Sequence, residues 1–155
     1  MNNIENFFNH IRNGDVTVVA DQIANTPKLL EVKDQRGSTP LLLATYYGHE
    51  DLAKLLLEKG AQVDAKDGSG NTALMGVCFK GYVEIADLLI NAGANVNHKD
   101  ERDFTALHDA VGRGNVAITG LLIEKTLASG ANPITADTDE LVYEYELTND
   151  GNTRL

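Results

Sequence analysis

Gly37-Ser38-Thr39-Pro40-Leu41 returns as Gly70-Asn71-Thr72-Ala73-Leu74, and in altered form as Asp103-Phe104-Thr105-Ala106-Leu107. The threonines are 72 − 39 = 33 and 105 − 72 = 33 residues apart. The rest of each copy keeps the same step: Gly48, Gly81 and Gly114; Leu55-Leu56, Leu88-Leu89 and Leu121-Leu122; Gly60-Ala61 and Gly93-Ala94. A fixed period of this length marks a chain of stacked units, none of which can bury its apolar face alone.

Each copy reads as turn, helix, tight turn, helix and loop. Thr39, Thr72 and Thr105 stand at N-cap positions, where a side-chain oxygen can accept an orphan backbone N–H. Pro40 follows at the first helical position, where its missing N–H costs nothing. The small residues Ala44, Ala110 and Cys78 permit two helices to approach closely. Gly48, Gly81 and Gly114 suit the left-handed end of a short first helix. The second helix carries Leu52, Leu55 and Leu56, repeated as Ile85, Leu88, Leu89 and as Ile118, Leu121, Leu122. That i, i+3, i+4 spacing makes one apolar stripe, which Gly60 and Gly93 terminate. The N-terminal stretch reads as a capping copy. Gly14 lies 48 − 14 = 34 residues before Gly48, and Phe7 and Phe8 fall where Leu41 and Leu42 fall later. A second apolar run, Val16, Val19 and Ile23, follows. The insertion Thr26-Pro27-Lys28 then leads through Leu29-Leu30 to Asp34, which aligns with Asp67 and Asp100.

Thr39-Pro40-Leu41-Leu42-Leu43-Ala44 and Thr105-Ala106-Leu107-His108-Asp109-Ala110, with the weaker Thr72-Ala73-Leu74-Met75-Gly76-Val77, resemble the signature of the ankyrin-repeat family. The resemblance spans about residues 4 to 134. It implies an all-α solenoid of stacked helix-turn-helix units with short β-turn fingers, forming a single domain over residues 1–155. The units are a capping repeat at 1–33, repeats at 34–66 and 67–99, a repeat with an insertion at 100–133, and an acidic finger or the start of a further repeat at 134–155. It gives His108 a structural, hydrogen-bonding role. It also implies that a protein partner touches the turn tips and the exposed face of the first helices. Those tips are Gln35, Arg36 and Ser38; Ser69 and Asn71; Glu101, Arg102 and Phe104. The helix face holds Tyr46, Tyr47, Phe79, Lys80 and Arg113, with Arg12 extending it on the capping repeat. Tyr46 and Phe79, 79 − 46 = 33 residues apart, are expected to stack as a ladder along the concave side. Aromatic and arginine side chains are enriched at interface hot spots. The alternative is that the two rings simply cover the core between repeats.

The third copy departs from the pattern. Asp103 replaces the turn glycine, and Asp109 stands where Leu43 stands in the first copy. The insertion Thr126-Leu127-Ala128-Ser129 should lengthen the second helix by about one turn, and Pro133 takes the place of Val63 and Val96. These changes fit either a terminal repeat with one face in water or a shaped binding feature. Beyond it, Leu141-Val142-Tyr143-Glu144-Tyr145-Glu146-Leu147 alternates as a strand does, and Asn149-Asp150-Gly151 signals a turn. The segment is either a finger opening a further repeat or a hairpin folded back on the last one. The absence of a following helix pair inclines the reading toward a truncated array.

The chain carries 23 acidic residues against 13 Lys and Arg, a formal charge of −10. Residues 137–155 hold six acids and Arg154, so 1 − 6 = −5 lies there and −5 in all the rest. Such a balance argues against nucleic acid and against an anionic membrane face. It is compatible with a basic protein partner, and equally with simple solubility. No run of 18 apolar residues suggests a membrane span, and the N-terminus has no secretory-signal pattern, which makes the cytoplasm the default location. A single cysteine, Cys78, excludes an intrachain disulfide and the usual zinc patterns, and reads as a small buried residue. His10, His49, His98 and His108 fall in different structural roles. Glu50 and Asp51, beside His49, suit a helix N-terminus. No catalytic residues, metal ligands or cofactor site are expected. The expectation is a non-enzymatic module, a monomer by default, that binds a protein partner as an inhibitor or scaffold. The competing reading is a structural or regulatory segment of a longer array with no partner of its own.

Overall fold

The computed structural model describes residues 3–129. Pro133, the strand expected at 141–147 and the acidic segment from residue 137 lie outside the described residues. Helices α1 (Asn3–Asn13), α3 (Pro40–Tyr46), α5 (Ala73–Lys80) and α7 (Ala106–Gly112) pack side by side as an inner layer. Helices α2 (Val16–Asn25), α4 (Glu50–Glu58), α6 (Val83–Asn91) and α8 (Val116–Ala128) form the outer layer, each folded back on the inner helix before it. The insertion Thr26-Pro27-Lys28 starts a 3-10 turn, Pro27–Glu31, packed on α2 and α3.

The apolar stripes meet between the layers. Phe7, Ile11, Leu41 and Leu74 from the inner helices are buried with Leu52, Leu56, Leu89, Ile118 and Leu122 from the outer ones. Burying one such side chain contributes about 1.5–3 kcal/mol, and each stripe is buried partly by the neighbouring repeat. The residues 126–129 do extend the last helix: α8 has 13 residues where α4 and α6 have 9. The hydroxyl of Thr126, itself buried, donates to the carbonyl of Leu122 at 2.7 Å, which lets a polar side chain sit in that added turn.

The helix starts differ from copy to copy. Thr39 and Thr72 accept long cap bonds of 3.4 Å from the amides of Leu42 and Met75. Thr105 caps its helix together with His108, in a reciprocal capping box. Its amide donates to His108 Nδ1 at 3.0 Å, and its hydroxyl lies 2.9 Å from the same nitrogen. His108 thus has the structural role expected of it.

Asp34, Asp67 and Asp100 build the fingers. One carboxylate oxygen of each accepts two amides of its own turn: Arg36 and Ser38 at 2.9 Å, Ser69 and Asn71 at 2.8 and 2.9 Å, Arg102 and Phe104 at 2.8 and 2.9 Å. The turn then needs a left-handed residue. Gly37 and Gly70 supply it with φ of 78° and 80°, whereas Asp103 adopts 64° with a side chain. That conformation is unfavourable for most L-residues, though Asp tolerates it better than others. Neighbouring fingers are joined by backbone hydrogen bonds, Gly68 N–H to Arg36 C=O at 3.0 Å and Glu101 N–H to Ser69 C=O at 3.2 Å.

A second periodic contact joins the repeats near the other end of the inner helices. The residue preceding each outer helix covers the glycine of the repeat before it. A Cβ on Gly14 would lie 2.7 Å from the His49 ring, one on Gly48 3.0 Å from Tyr82, and one on Gly81 3.1 Å from Asn115. His49 adds a hydrogen bond, its Nε2–H donating to the carbonyl of Arg12 at 2.8 Å.

Candidate functional site

The inner helices and the fingers enclose an open groove of about 560 Å³. Its floor is apolar, made by Leu42, Leu43, Met75 and Gly76. Of the side chains selected from the sequence, Arg36, Ser38, Tyr46, Tyr47, Ser69, Asn71, Phe79 and Arg102 line it. Lys80, Phe104 and Arg113 do not form its walls, but each touches a ring or a cation of this face. Gln35 and Glu101 stand outside the groove lining. Arg12 is drawn to the first finger, with contacts of 2.9 Å to Asn9 and 3.7 Å to Asp34.

The aromatic side chains of this face remain 42–47% exposed: Tyr46, Tyr47, Phe79 and Phe104. The expected ladder of Tyr46 on Phe79 is replaced by a different arrangement. Lys80 Nζ stands 5.1 Å from the centre of the Tyr46 ring, and the Arg113 guanidinium 3.8 Å from that of Phe79. The reason is the register. Positions 47, 80 and 113 are one repeat apart, so the cation of each repeat reaches back over the ring of the one before. Cation–π contacts at exposed sites contribute about 0.5–1 kcal/mol and hold both partners in place.

The third finger holds its ring from within the same turn. Arg102 makes two bonds to Asp100 Oδ2, at 3.0 and 2.8 Å, and stands 4.8 Å over the Phe104 ring. Phe104 in turn stacks on His108 with centroids 5.0 Å apart and planes 8° from parallel. Burial alone would push the Asp100 carboxyl up, but the Phe104 amide and the guanidinium and amide of Arg102 hold it below its ordinary value. The same pairing raises Arg102 further.

Two features of the groove have little signal in the repeat pattern. The turn role of Asp67 is visible in sequence only as an alignment with Asp34 and Asp100. Asp109, noticed as an irregularity of the third copy, lines the groove and is half-buried. Its burial raises the carboxyl above the ordinary range, with Asp100 adding to the effect and Arg102, His108 and Arg113 opposing it.

Among the described residues, no group of three or more His, Cys, Asp or Glu side chains is placed to hold a metal ion. Nor is any described helix long and apolar enough to cross a membrane. Cys78 is fully buried, and that burial pushes its thiol far up, with the charge of Asp109 adding to it. A thiol held in its neutral form is a poor nucleophile.

A family model for ankyrin repeats, three copies, matches residues 7–100 and 66–137. Ankyrin repeats generally mediate protein–protein interaction, and the family is typically non-enzymatic. The 33-residue period, the paired helical layers and the aspartate-built fingers agree with that match, and the chain belongs to the ankyrin-repeat family.

Proposed function

We propose that this chain is a protein-binding module that grips one partner through its concave groove and finger tips, as an inhibitor or a scaffold does. The carrying observation is the row of half-exposed rings, Tyr46, Phe79 and Phe104, each held by a cation: Lys80, Arg113 and Arg102. Immobilised aromatic and arginine side chains lose little further conformational freedom on binding, which favours affinity at such positions. The formal charge of −10 favours a basic partner by speeding encounter.

The test is capture from the source cell with the full chain and with Tyr46→Ala/Phe79→Ala as baits. A partner recovered with the wild type and lost with the double variant supports the reading. Equal recovery with both would remove the groove as the binding face. Circular dichroism of the variant shows that the helices persist.

A further inference from the structure

We propose that Asp109 is the specificity-determining contact of the groove and receives the guanidinium or ammonium of a basic side chain of the partner; this rests on the groove being the binding face. Residues 43, 76 and 109 occupy one position in successive repeats, filled by Leu, Gly and Asp. The architecture therefore has no need of an acid there. Asp109 lines the same groove as Leu43 and Gly76. Among the described residues its carboxylate makes neither a hydrogen bond nor an ion pair within 4.0 Å, although two arginines are close enough to influence it. Both are engaged elsewhere: Arg102 on Asp100 and Arg113 on the face of Phe79. Lys80 is held over Tyr46.

A half-buried, unpaired carboxylate costs stability, and burial accounts for the raised carboxyl. An incoming cation removes that cost, so its binding is favoured beyond the ordinary attraction of an exposed pair. The surroundings suit such a residue. Gly76, one repeat before Asp109, carries no side chain, so the methylene stem of Lys or Arg can cross the groove there while its head meets the carboxylate. An acidic side chain at the same place would meet uncompensated like charge, which is how such a contact discriminates between partners. Arg36, across the groove, has no carboxylate within 4.0 Å among the described residues and is the site at which an acidic residue would compete.

Nuclear magnetic resonance titration of the full, isotopically labelled chain with acetylated tri-arginine and tri-glutamate peptides tests this. Tri-arginine is expected to shift the amides of Gly76 and Asp109 saturably, and tri-glutamate to leave them in place. Asp109→Asn, and Asp109→Leu, which restores the residue type of position 43, should each weaken tri-arginine binding by about tenfold or more. Unchanged affinity in Asp109→Asn, absence of shifts with tri-arginine, or equal shifts with tri-glutamate overturns the proposal. Both variants are checked for native amide dispersion, and the conservative Asn keeps the test valid where Leu repacks the groove. Capture separates the two readings. A partner lost with Tyr46→Ala/Phe79→Ala but kept with Asp109→Asn sinks the anchor and leaves the groove. A partner kept with both variants sinks both.

Discussion

Replacing Asp100 tests how the fingers are built. Its side chain is only 4% exposed and accepts the amides of Arg102 and Phe104 through Oδ1 and the Arg102 guanidinium through Oδ2. Hydrogen bonds to a charged group contribute about 1.5–3 kcal/mol each. The Arg102 side chain is 65% exposed, so the guanidinium pair adds little and the two amide bonds dominate. Part of their loss is recovered when water reaches the opened turn, which leaves an expected cost of about 2–3 kcal/mol for Asp100→Ala. Asp100→Asn keeps an oxygen for both amides and loses the charge, so about 1 kcal/mol is expected. The assay is urea unfolding followed by far-ultraviolet circular dichroism. If Asn proves as damaging as Ala, or Ala costs under about 0.5 kcal/mol, the turn does not rest on these amides. The pH dependence gives an independent check. Asp100 is held below its ordinary value in the folded state, so its contribution is complete above the unfolded value near 3.8 and is lost as pH falls through the lower folded one. The gap between wild type and Asp100→Asn should therefore be full at neutral pH and close in strong acid.

Leu89 is fully buried in the central outer helix, and Leu89→Ala should cost about 3 kcal/mol by urea unfolding; under about 1 kcal/mol would mean that the neighbouring repeats do not close on it. Gly48→Ala and Gly114→Ala both place a side chain at positive φ, 79° and 67°, but only the first meets a neighbour, the Tyr82 ring at 3.0 Å. Gly114→Ala should cost about 1 kcal/mol and Gly48→Ala measurably more, and equal costs would refute the ring contact as an inter-repeat joint. Cys78 should resist maleimide labelling in the native protein and react only in denaturant; rapid native labelling would contradict its burial.

The repeat was legible because its requirements are local. Thr39-Pro40 starts a helix, Leu52-x-x-Leu55-Leu56 makes a stripe, and the insertion after Lys125 adds about a turn to α8, ending at Ala128. Phe7 and Phe8 were placed in the core by register alone, and both are buried. What sequence spacing misassigned depends on direction across repeats. It aligned Tyr46 with Phe79 correctly and still gave the wrong neighbour, because Lys80 and Arg113 reach back over those rings. It assigned Thr105 the cap role of Thr39 correctly, without showing that His108 three residues on would return a bond to the Thr105 amide. Asp34, Asp67 and Asp100 were seen as an alignment, but a carboxylate that accepts its own turn's amides looks in sequence like any surface acid.

That last point changes how the charge of the protein bears on its partner. A total of −10 treats every acid alike, yet the finger aspartates already have one carboxylate oxygen engaged by backbone amides of their own turns and less of it open to a partner's donors. The joints between repeats set no charge either: their covering residue runs His49, Tyr82, Asn115, so the constraint lies on the glycine beneath and not on what covers it. Selectivity in the groove therefore falls to positions the architecture leaves free. Position 43/76/109 is such a place, since Leu, Gly and Asp all fit the same helix face. An exposed surface acid there would contribute little to binding. Asp109 differs because it is half-buried and the two arginines that influence it are occupied on Asp100 and Phe79; on the proposal above, the total charge speeds encounter and this one carboxylate selects the side chain that is received.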